Sequence, residues 1–207
     1  MHSNVYVWYE IGVKSAMYSL VRFDKSRAED YFRIFDRSVS GGVVCYCTMW
    51  NMTQEEIDRR IVGPVKNNTA QLSQVAREVA EEMINADRIH GFLFYEDGTP
   101  VGWCNCDDKC NYTFLARHVP ATAEKDHIKS IVCLKVVGEK DFCQVGSALV
   151  EAVCRESGAE GYPAVEVYPH EGAMTCADFH SVMKVYSENG FELLSLQDGA
   201  AVLRKEL

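Results

Sequence analysis

The sequence predicts an α/β domain (α+β in its antiparallel parts), in which a mixed, twisted sheet is flanked by helices. Three observations lead to this prediction. Short runs of β-branched and aromatic residues alternate with segments whose apolar residues recur at helical spacing. The pair Asp97-Gly98 stands between two apolar runs and indicates a hairpin turn. A content of 47% hydrophobic and 25% charged residues is typical of a soluble globular protein.

The first part of the chain is predicted to hold a strand, a helix and a second strand. Residues 19–23 and 43–50 have the β-branched and aromatic composition of strands, and the second run follows a Gly-Gly turn. Between the two runs, apolar residues at i, i+3, i+4 and i+7 predict a helix. The residues on its inner face are Ala28, Tyr31, Phe32 and Phe35.

Two helices are predicted next. Thr53 and Glu56 form a capping box at the start of a short helix, and Gly63-Pro64 is expected to end it. A second helix is expected to start at Asn68 or Thr69. Its inner face comprises Leu72, Val75, Ala76, Val79 and Met83.

The rest of the chain is predicted to alternate between strands and helices, with an irregular polar segment over 107–128. The helix that ends at Asn189-Gly190 has the signature of a left-handed C-cap. The predicted elements are strands at 91–95, 101–106 and 130–137, a helix over about 144–156, a strand at 164–168, a helix over 178–188 and a closing hairpin of 191–196 and 200–204.

Charge and composition exclude some classes of function. The formal net charge of −9 argues against a general nucleic-acid binder, because such proteins neutralise phosphates with basic residues. It favours a cationic substrate. The N-terminus lacks the basic and apolar segments of a signal peptide, and no apolar run is as long as a membrane span. We therefore expect a cytoplasmic protein without membrane contact, whose nine cysteines are reduced thiols.

Three features occur in one order toward the C-terminus. A hairpin ends in Pro100-Val-Gly-Trp103, a strand, loop and helix follow at 130–156, and a helix then ends in Tyr186-Ser-Glu-Asn-Gly-Phe191. With these features the chain resembles, over roughly 90–207, the GNAT superfamily of acetyl-coenzyme A-dependent N-acetyltransferases. The front third resembles only one branch, whose members carry a Cys-aromatic-Cys segment like Cys45-Tyr-Cys47.

The resemblance implies the GNAT fold, a mixed twisted central sheet with a splay between strands 4 and 5. It implies a single domain over 1–207, with 1–90 as a substrate-side wall and 91–207 as the acetyl-CoA-binding core. Acetyl-CoA would be the cosubstrate, and the acceptor would be an amine of a small molecule or peptide. Nucleic-acid and membrane partners are not expected, and the resemblance allows a homodimer.

The resemblance also assigns cofactor-binding residues. Strand 4 would be 130–137, so that backbone groups near Leu134 and Val136 would bond the pantetheine amides. A loop over 141–147 would present backbone N–H groups to the pyrophosphate, and the following helix would add its positive end. The residues expected to bind there are Phe142, Cys143, Gln144, Val145, Gly146 and Ser147.

This loop departs from the family pattern. That pattern has glutamine or arginine, two residues, glycine, one residue, and glycine or alanine. The corresponding residues here are Asp141, Gln144 and Gly146, and only the last matches. The Asp141 carboxylate would repel a pyrophosphate, and Gln144 carries a Cβ where glycine would allow close approach. Lys135 or Lys140 would offset the acid only if its side chain reached the loop.

Tyr186 is the predicted catalytic residue. In many GNAT proteins a tyrosine at this place, four residues before a glycine, lies beside the thioester sulfur and donates a proton to the departing thiolate. The helical spacing of Tyr186 also fits a core position. Glu96, His127 and Glu166 are candidate bases for the amine, although each also fits a surface or edge position.

Two alternatives stay open. The atypical loop suits a catalytically impaired GNAT-fold protein that binds a ligand or partner. Cys45 with Cys47, and Cys104 with Cys106 and Cys110, suit a metal or redox protein, since soft thiolates select zinc or copper(I). A Cys-x-Cys pair on a strand points both thiols to one face. The spacings differ from Cys-x-x-Cys knuckles, and buried cysteines often pack as small hydrophobes, so no metal site is predicted.

Overall fold

The computed structural model describes residues 5–6, 17–37, 45–65, 71–115, 127–137, 142–169, 179–197 and 200–207. In these residues eight strands form one sheet in the order β1-β2-β3-β4-β5-β6-β8-β7. Neighbouring strands are antiparallel, except that β5 and β6 run parallel. The strands are β1 (Val5–Tyr6), β2 (Tyr18–Arg22), β3 (Gly91–Glu96), β4 (Thr99–Asp108), β5 (Lys129–Val136), β6 (Ala164–Val167), β7 (Glu192–Gln197) and β8 (Ala200–Glu206).

Helices cover both faces of the sheet. They are α1 (Ala28–Asp36), α2 (Gln54–Ile57), α3 (Gly63–Val65), α4 (Leu72–Asn85), α5 (Phe142–Ala159) and α6 (Phe179–Glu188). One apolar core packs α5 and α6 against one face, and a second packs α1, α2 and α4 against the other. None of the helices in the described part of the chain combines the length and the apolar character that crossing a membrane requires.

Helix α1 forms as the apolar spacing predicts. The Asp24 carboxylate accepts a hydrogen bond from the Ser26 N–H at 2.8 Å, which caps the 3₁₀ turn leading into the helix. Tyr31 and Phe35 are buried on the inner face, and burial of one such aromatic side chain contributes about 2 kcal/mol. The Tyr31 ring packs edge-on against Trp103 of β4, with centroids 5.0 Å apart. These contacts fix α1 over the middle of the sheet.

The segment predicted as a strand over 43–50 is not one in its described part. Tyr46 and Cys47 form a turn with φ of 47° and 50°, and a 3₁₀ turn follows at Met49–Asn51. Left-handed backbone costs an L-residue about 1–2 kcal/mol, so tertiary contacts must hold this turn. The Tyr31 hydroxyl donates a hydrogen bond to the Tyr46 carbonyl. The strand prediction therefore fails because contacts with α1 override local composition.

The helix after Thr53 has its predicted capping box but continues past its predicted end. The Glu56 N–H donates to Thr53 Oγ1 at 3.2 Å, and the Thr53 N–H donates to Glu56 Oε2 at 2.9 Å. Beyond α2, the Gly63 N–H bonds to the Asp58 carbonyl in a π-helical turn, and α3 then includes Pro64. The prediction that Gly63-Pro64 ends the helix is wrong, because the π turn widens the hydrogen-bond ladder just before the proline ring.

Later elements follow their predictions closely. Asp97 and Gly98 have φ of 48° and 77°, as a tight hairpin turn between β3 and β4 requires. Gly190 has φ of 78°, and the Phe191 N–H donates to the Tyr186 carbonyl at 3.1 Å, which confirms the left-handed C-cap of α6. The residues expected to start α4, Asn68 and Thr69, lie outside the described residues.

Candidate functional site

A gap opens where the two parallel strands part. Strand β5 pairs with β6 only from Lys129 to Ile131, opposite Val165 to Val167. Beyond Ile131, β5 continues along β4 as far as Val136, while β6 ends at Val167. In the described residues, no strand pairs with 132–136 on the side away from β4. This parting of β5 and β6 confirms the predicted splay.

A bulge in β5 directs its backbone into the gap. Opposite β4, Ile131 and Cys133 occupy consecutive pairing positions, so that Val132 is an extra residue that bends the strand. Further along, the Val137 N–H donates to the Val101 carbonyl of β4 at 3.0 Å. Because peptide groups alternate in direction along a strand, the N–H and C=O groups of Leu134 and Val136 face the gap, as the resemblance implies.

Apolar side chains line this region. Six partly buried side chains pack against the core that lies on this face of the sheet. They are Leu134 and Val136 of β5, Phe142 and Cys143 of α5, and Val182 and Met183 of α6. The Cys143 thiol lies 4.0 Å from the Ser181 carbonyl, so the starts of α5 and α6 are close together. The described residues beside the splay therefore present an apolar surface made by β5, α5 and α6.

Residues 142–147, expected in a loop, form the first turns of α5. Within a helix, N–H groups beyond the first turn bond to carbonyls four residues earlier. The backbone N–H groups of Gly146 and Ser147 are therefore used inside α5, whereas those of Phe142 and Cys143 belong to the first turn, which the helix itself does not bond. Asp141 and Lys140 lie outside the described residues.

Gly146 is a packing position in this helix. A Cβ added there would lie 3.4 Å from Val185 of α6 and 3.5 Å from Leu134 of β5. Both distances are ordinary van der Waals contacts, so the space between α5 and its two neighbours would hold a methyl group. Lys135 does not reach the start of α5: its Nζ lies 5.4 Å from the centroid of the Phe35 ring, on the other face of the sheet.

Tyr186 lies on α6 directly after Val185, which contacts the start of α5. Its side chain is 5% exposed, and its ring packs against Phe191 with centroids 5.5 Å apart. The structure thus places Tyr186 in the same wall as Val182 and Met183, within the core of that face.

The candidate bases lie in other surroundings. Glu166 is fully buried, and its carboxylate binds Lys109 Nζ at 2.6 Å and Arg204 Nη2 at 2.6 Å. Burial acts to raise the pKa of Glu166, but the hydrogen bonds from Lys109 and Arg204 outweigh it and leave the pKa below its usual value. The expectation of a surface or edge position for Glu166 is therefore wrong. A carboxylate held in this way is a weak base.

Glu96 and His127 are engaged elsewhere. The Tyr18 hydroxyl donates to Glu96 Oε1 at 2.9 Å, at the end of β3 next to its hairpin turn. The His127 ring stacks on Tyr162 with centroids 4.5 Å apart, and its Nδ1 lies 3.9 Å from Asp108. The structure does not bring these candidate bases together with Tyr186.

In the described residues, two groups of cysteines differ from the predicted ones. Cys104 and Cys106 are both buried in the core beneath α5, whereas Cys110 is exposed. The second group, here named the thiol cluster, consists of Cys45, Cys47 and Cys133. Burial raises the pKa of the Cys47 thiol most, and its neighbours Cys133 and Cys45 raise it further. Sequence spacing missed Cys133, which follows the bulge in β5. Among the residues that the structure describes, no group of three or more metal-ligating side chains has the arrangement of a metal site.

Comparison with known proteins supports the architecture. No protein-family model and no curated protein sequence matches the chain. Among solved structures, PaiA N-acetyltransferase from Thermoplasma acidophilum in complex with coenzyme A gives a TM-score of 0.54 at 13% identity, over 92% of this chain and 99% of that one. A GNAT-family acetyltransferase from Listeria monocytogenes gives 0.56 at 11%, over 91% and 95%. Aminoglycoside acetyltransferase AAC(6′)-Ib in complex with coenzyme A gives 0.55 at 11%, over 91% and 94%.

At identities this low, the likeness shows the fold. The chain has the GNAT fold, with a mixed sheet, helices on both faces and a splay between β5 and β6.

Proposed function

We propose that the protein is an N-acetyltransferase that transfers an acetyl group from acetyl-CoA to an amine of a small molecule or peptide. The observation that carries this proposal is the gap beside β5, into which the peptide groups of Leu134 and Val136 point. Two neighbours with this fold are complexes with coenzyme A, which supports acetyl-CoA as the cosubstrate.

The residues around the gap suit both the pantetheine chain and the pyrophosphate of such a cosubstrate. An extended pantetheine chain carries amides that match strand-like peptide groups, and apolar side chains such as Phe142 and Met183 suit its methylene groups. The start of α5 offers the backbone N–H groups of Phe142 and Cys143 and the positive end of a helix of 18 residues to a pyrophosphate. The next residues of α5 would continue the helix behind that turn. They are Gln144, Val145, Gly146 and Ser147.

The reaction would be direct attack of a neutral amine on the thioester carbonyl. Holding both reactants in the gap supplies proximity, and backbone N–H groups of β5 polarise the carbonyl. In this proposal the Tyr186 hydroxyl gives a proton to the departing thiolate. Residues 1–90 form the acceptor-side wall of the single domain, and the net charge of −9 favours a cationic acceptor.

A second candidate is a catalytically impaired protein that keeps the fold and binds a ligand or partner. The observation that favours it is the start of α5, where the described first turn, Phe142-Cys143-Gln144, contains no basic side chain. The preceding Asp141 adds a negative charge in sequence. Both features weaken attraction for a pyrophosphate.

Isothermal titration with acetyl-CoA, followed by acetylation assays on a panel of amines, distinguishes the two candidates. Binding with turnover supports the enzyme, and binding without turnover on any amine supports the impaired protein. If the protein failed to bind acetyl-CoA at millimolar concentration, the proposal that it is an acetyltransferase would be contradicted.

A variant of β5 tests whether acetyl-CoA binds in the gap. Val136→Pro removes an N–H that faces the gap and that β4 does not use, so affinity should fall about two- to tenfold, the value of one net hydrogen bond. Its thermal unfolding serves as the folding control. Unchanged affinity in a folded variant would place the ligand elsewhere.

A further inference from the structure

Two side chains join β5 and β6 at the point where the strands part. The last paired residues are Ile131 of β5 and Val167 of β6. The hydroxyl groups of Ser130 and Tyr168 lie 2.6 Å apart and hydrogen-bond with each other. Ser130 comes directly before Ile131, and Tyr168 comes directly after Val167. This bond therefore crosses from one strand to the other at the closed end of the splay.

Beyond this point the two chains follow different neighbours. The Pro169 carbonyl accepts a hydrogen bond from the Ala201 N–H of β8 at 3.1 Å, so the chain that leaves β6 stays beside β8. Proline has no N–H to donate. On β5, the bulge residue Val132 follows Ile131 and bends the strand, which continues along β4. The backbone therefore favours separation, and the bond between the two hydroxyl groups holds the strands together just before it.

The Tyr168 hydroxyl has a second partner that fixes its direction. It donates to Glu166 Oε2 at 2.9 Å, and Lys109 and Arg204 bind the same carboxylate. Burial and the Glu166 charge raise the pKa of Tyr168, so its hydroxyl keeps its proton at neutral pH. Since that proton points at Glu166, Ser130 is the donor in the bond to Tyr168.

These polar groups lie on the face of the sheet opposite the apolar residues beside the splay. Ile131, Val165 and Val167 belong to the core under α5 and α6, and side chains alternate along a strand. Ser130 and Glu166 are nevertheless fully buried. A buried network whose polar groups bond to one another is rigid, so it holds the tyrosine hydroxyl in one position.

The reacting end of acetyl-CoA would lie at this closed end. In the proposed function, the start of α5 holds the pyrophosphate, and the peptide groups of Leu134 and Val136 bond the pantetheine amides. An extended chain that runs from α5 past Val136 and Leu134 next reaches Ile131, because β5 continues in that direction. The thioester therefore comes to the point at which Ser130 and Tyr168 join the strands.

We propose that Tyr168 is a positioning residue, whose hydroxyl, held between Ser130 and Glu166, fixes the point where β5 and β6 part and so places the thioester for attack by the amine. This inference rests on the proposed acetyl transfer. Tyr168 acts through the strands and does not touch the reacting atoms. A displacement of about 1 Å can slow a reaction about 100-fold, so loss of the bond should lower kcat. Pantetheine and pyrophosphate contacts, which set the KM for acetyl-CoA, should remain.

Steady-state kinetics of Tyr168→Phe tests this role. The substitution keeps the ring and removes the hydroxyl, so kcat should fall about tenfold while the KM for acetyl-CoA changes less than about twofold. Ser130→Ala removes the other half of the bond and should give the same result. The double variant should be no slower than either single variant, because both substitutions break one bond. Losses in kcat that multiply, or a raised KM with unchanged kcat, would overturn the proposal.

Tyr95→Phe is the matched control. The Tyr95 hydroxyl donates to Asp30 Oδ2 at 2.8 Å, and the residue is 7% exposed. This contact is again a tyrosine hydroxyl on a carboxylate, but it joins β3 to α1. Its loss should leave kcat near that of the unmodified chain. An equal fall in kcat would contradict a particular role for Tyr168, because any lost tyrosine hydroxyl would then slow the protein.

Hydrogen exchange of the free protein tests the link between the strands without acetyl transfer. In Tyr168→Phe, backbone amides of 129–131 and 165–168 should exchange about fivefold faster, the value of one net hydrogen bond, while those of 91–96 keep their rates. Tyr95→Phe should show the reverse. Unchanged exchange at 129–131 in folded Tyr168→Phe or Ser130→Ala, with folding checked by thermal unfolding, would refute the link. A protein that shows this exchange pattern but acetylates no amine would contradict the proposed function and leave the link in place.

Discussion

Tyr186 has both a packing contact and a place near the candidate site. Its ring packs on Phe191 at 5.5 Å, so Tyr186→Phe keeps the packing and removes only the hydroxyl. If this hydroxyl protonates the departing thiolate, kcat should fall about 100-fold, with little change in the KM for acetyl-CoA. Steady-state kinetics measures both.

Tyr18→Phe is the matched control for this substitution. Tyr18 is likewise 5% exposed, and its hydroxyl bonds to Glu96 at the end of β3. Its loss should leave kcat near that of the unmodified chain. Full turnover in Tyr186→Phe would assign Tyr186 to packing alone.

Glu166 is a structural anion rather than a base. Its carboxylate is fully buried between Lys109 and Arg204. Glu166→Gln removes the buried negative charge that Lys109 and Arg204 share and should lower the free energy of unfolding by about 3 kcal/mol. Urea denaturation at neutral pH measures this loss, and Glu56→Gln, on a more exposed ion pair with Arg88, should cost much less.

The pH dependence of stability gives a second measurement for Glu166. Its pKa is lower in the folded chain than its usual value, so the unfolded state binds the proton more readily. The stabilisation is fully present above the ordinary glutamate pKa of about 4.3 and is lost as the pH falls through the lowered folded pKa. Glu166→Gln should lack this acid-dependent loss. If the free energy of unfolding of both proteins changed identically with acid pH, the structural role of Glu166 between Lys109 and Arg204 would be contradicted.

Single residues were predictable from the sequence only where their partners are close along the chain. The capping box of Thr53 and Glu56 spans only four residues of sequence and is confirmed. The burial of Glu166 depends on Lys109, 57 residues away. The place of Cys133 beside Cys47 depends on the pairing register of β5 and on a turn that local composition favours as a strand.

At the scale of elements, a substitution at Gly146 distinguishes two roles for the start of α5, namely helix packing and contact with a pyrophosphate. A Cβ there would make ordinary contacts of 3.4 Å and 3.5 Å with Val185 and Leu134. Alanine also loses less backbone entropy than glycine on folding. Gly146→Ala should therefore stabilise the protein by about 0.5 kcal/mol in urea denaturation and leave acetyl-CoA affinity unchanged.

The contrary outcome for Gly146 is equally specific. A glycine that allowed the backbone to approach a pyrophosphate would lose affinity on gaining a Cβ. Weaker binding in a folded Gly146→Ala variant would show that the residue touches the ligand. Gly158→Ala, on the same helix with its nearest neighbour atoms 3.9 Å away, provides the control for helix stability.

Whole elements were more predictable than the places where elements meet. Helix α1 and the hairpin of β3 and β4 follow from apolar spacing and a turn signal, which act locally. The turn at Tyr46 and Cys47 could not be predicted, because only the bond from Tyr31 and its neighbours make left-handed backbone acceptable there. The first turns of α5 were expected in a loop because the family pattern, rather than helical spacing, guided that prediction.

For the whole molecule, the sheet separates two kinds of chemistry. The apolar side chains beside the splay lie on the face covered by α5 and α6, whereas Cys47 and Cys133 lie on the face covered by α1 and α4. Strand β5 contributes to both, since Leu134 and Cys133 are consecutive and point to opposite faces. The order of elements in the sequence predicted the sheet and its splay, whereas this division of the two faces required the register of the bulge.

The net charge of −9 acts on the two proposed substrates with opposite signs. Coenzyme A is an anion, and the described first turn of α5 holds no basic side chain to offset the field of the whole protein. Raising the ionic strength from about 0.01 to 0.15 M shortens the Debye length from about 30 to 8 Å. The KM for acetyl-CoA should therefore fall as salt rises, while the KM of an acceptor with several amines should increase. Kinetics at both salt concentrations, with a monoamine as the comparison acceptor, measures both slopes. A KM for acetyl-CoA that increases with salt would show that local positive groups around the gap outweigh the net charge.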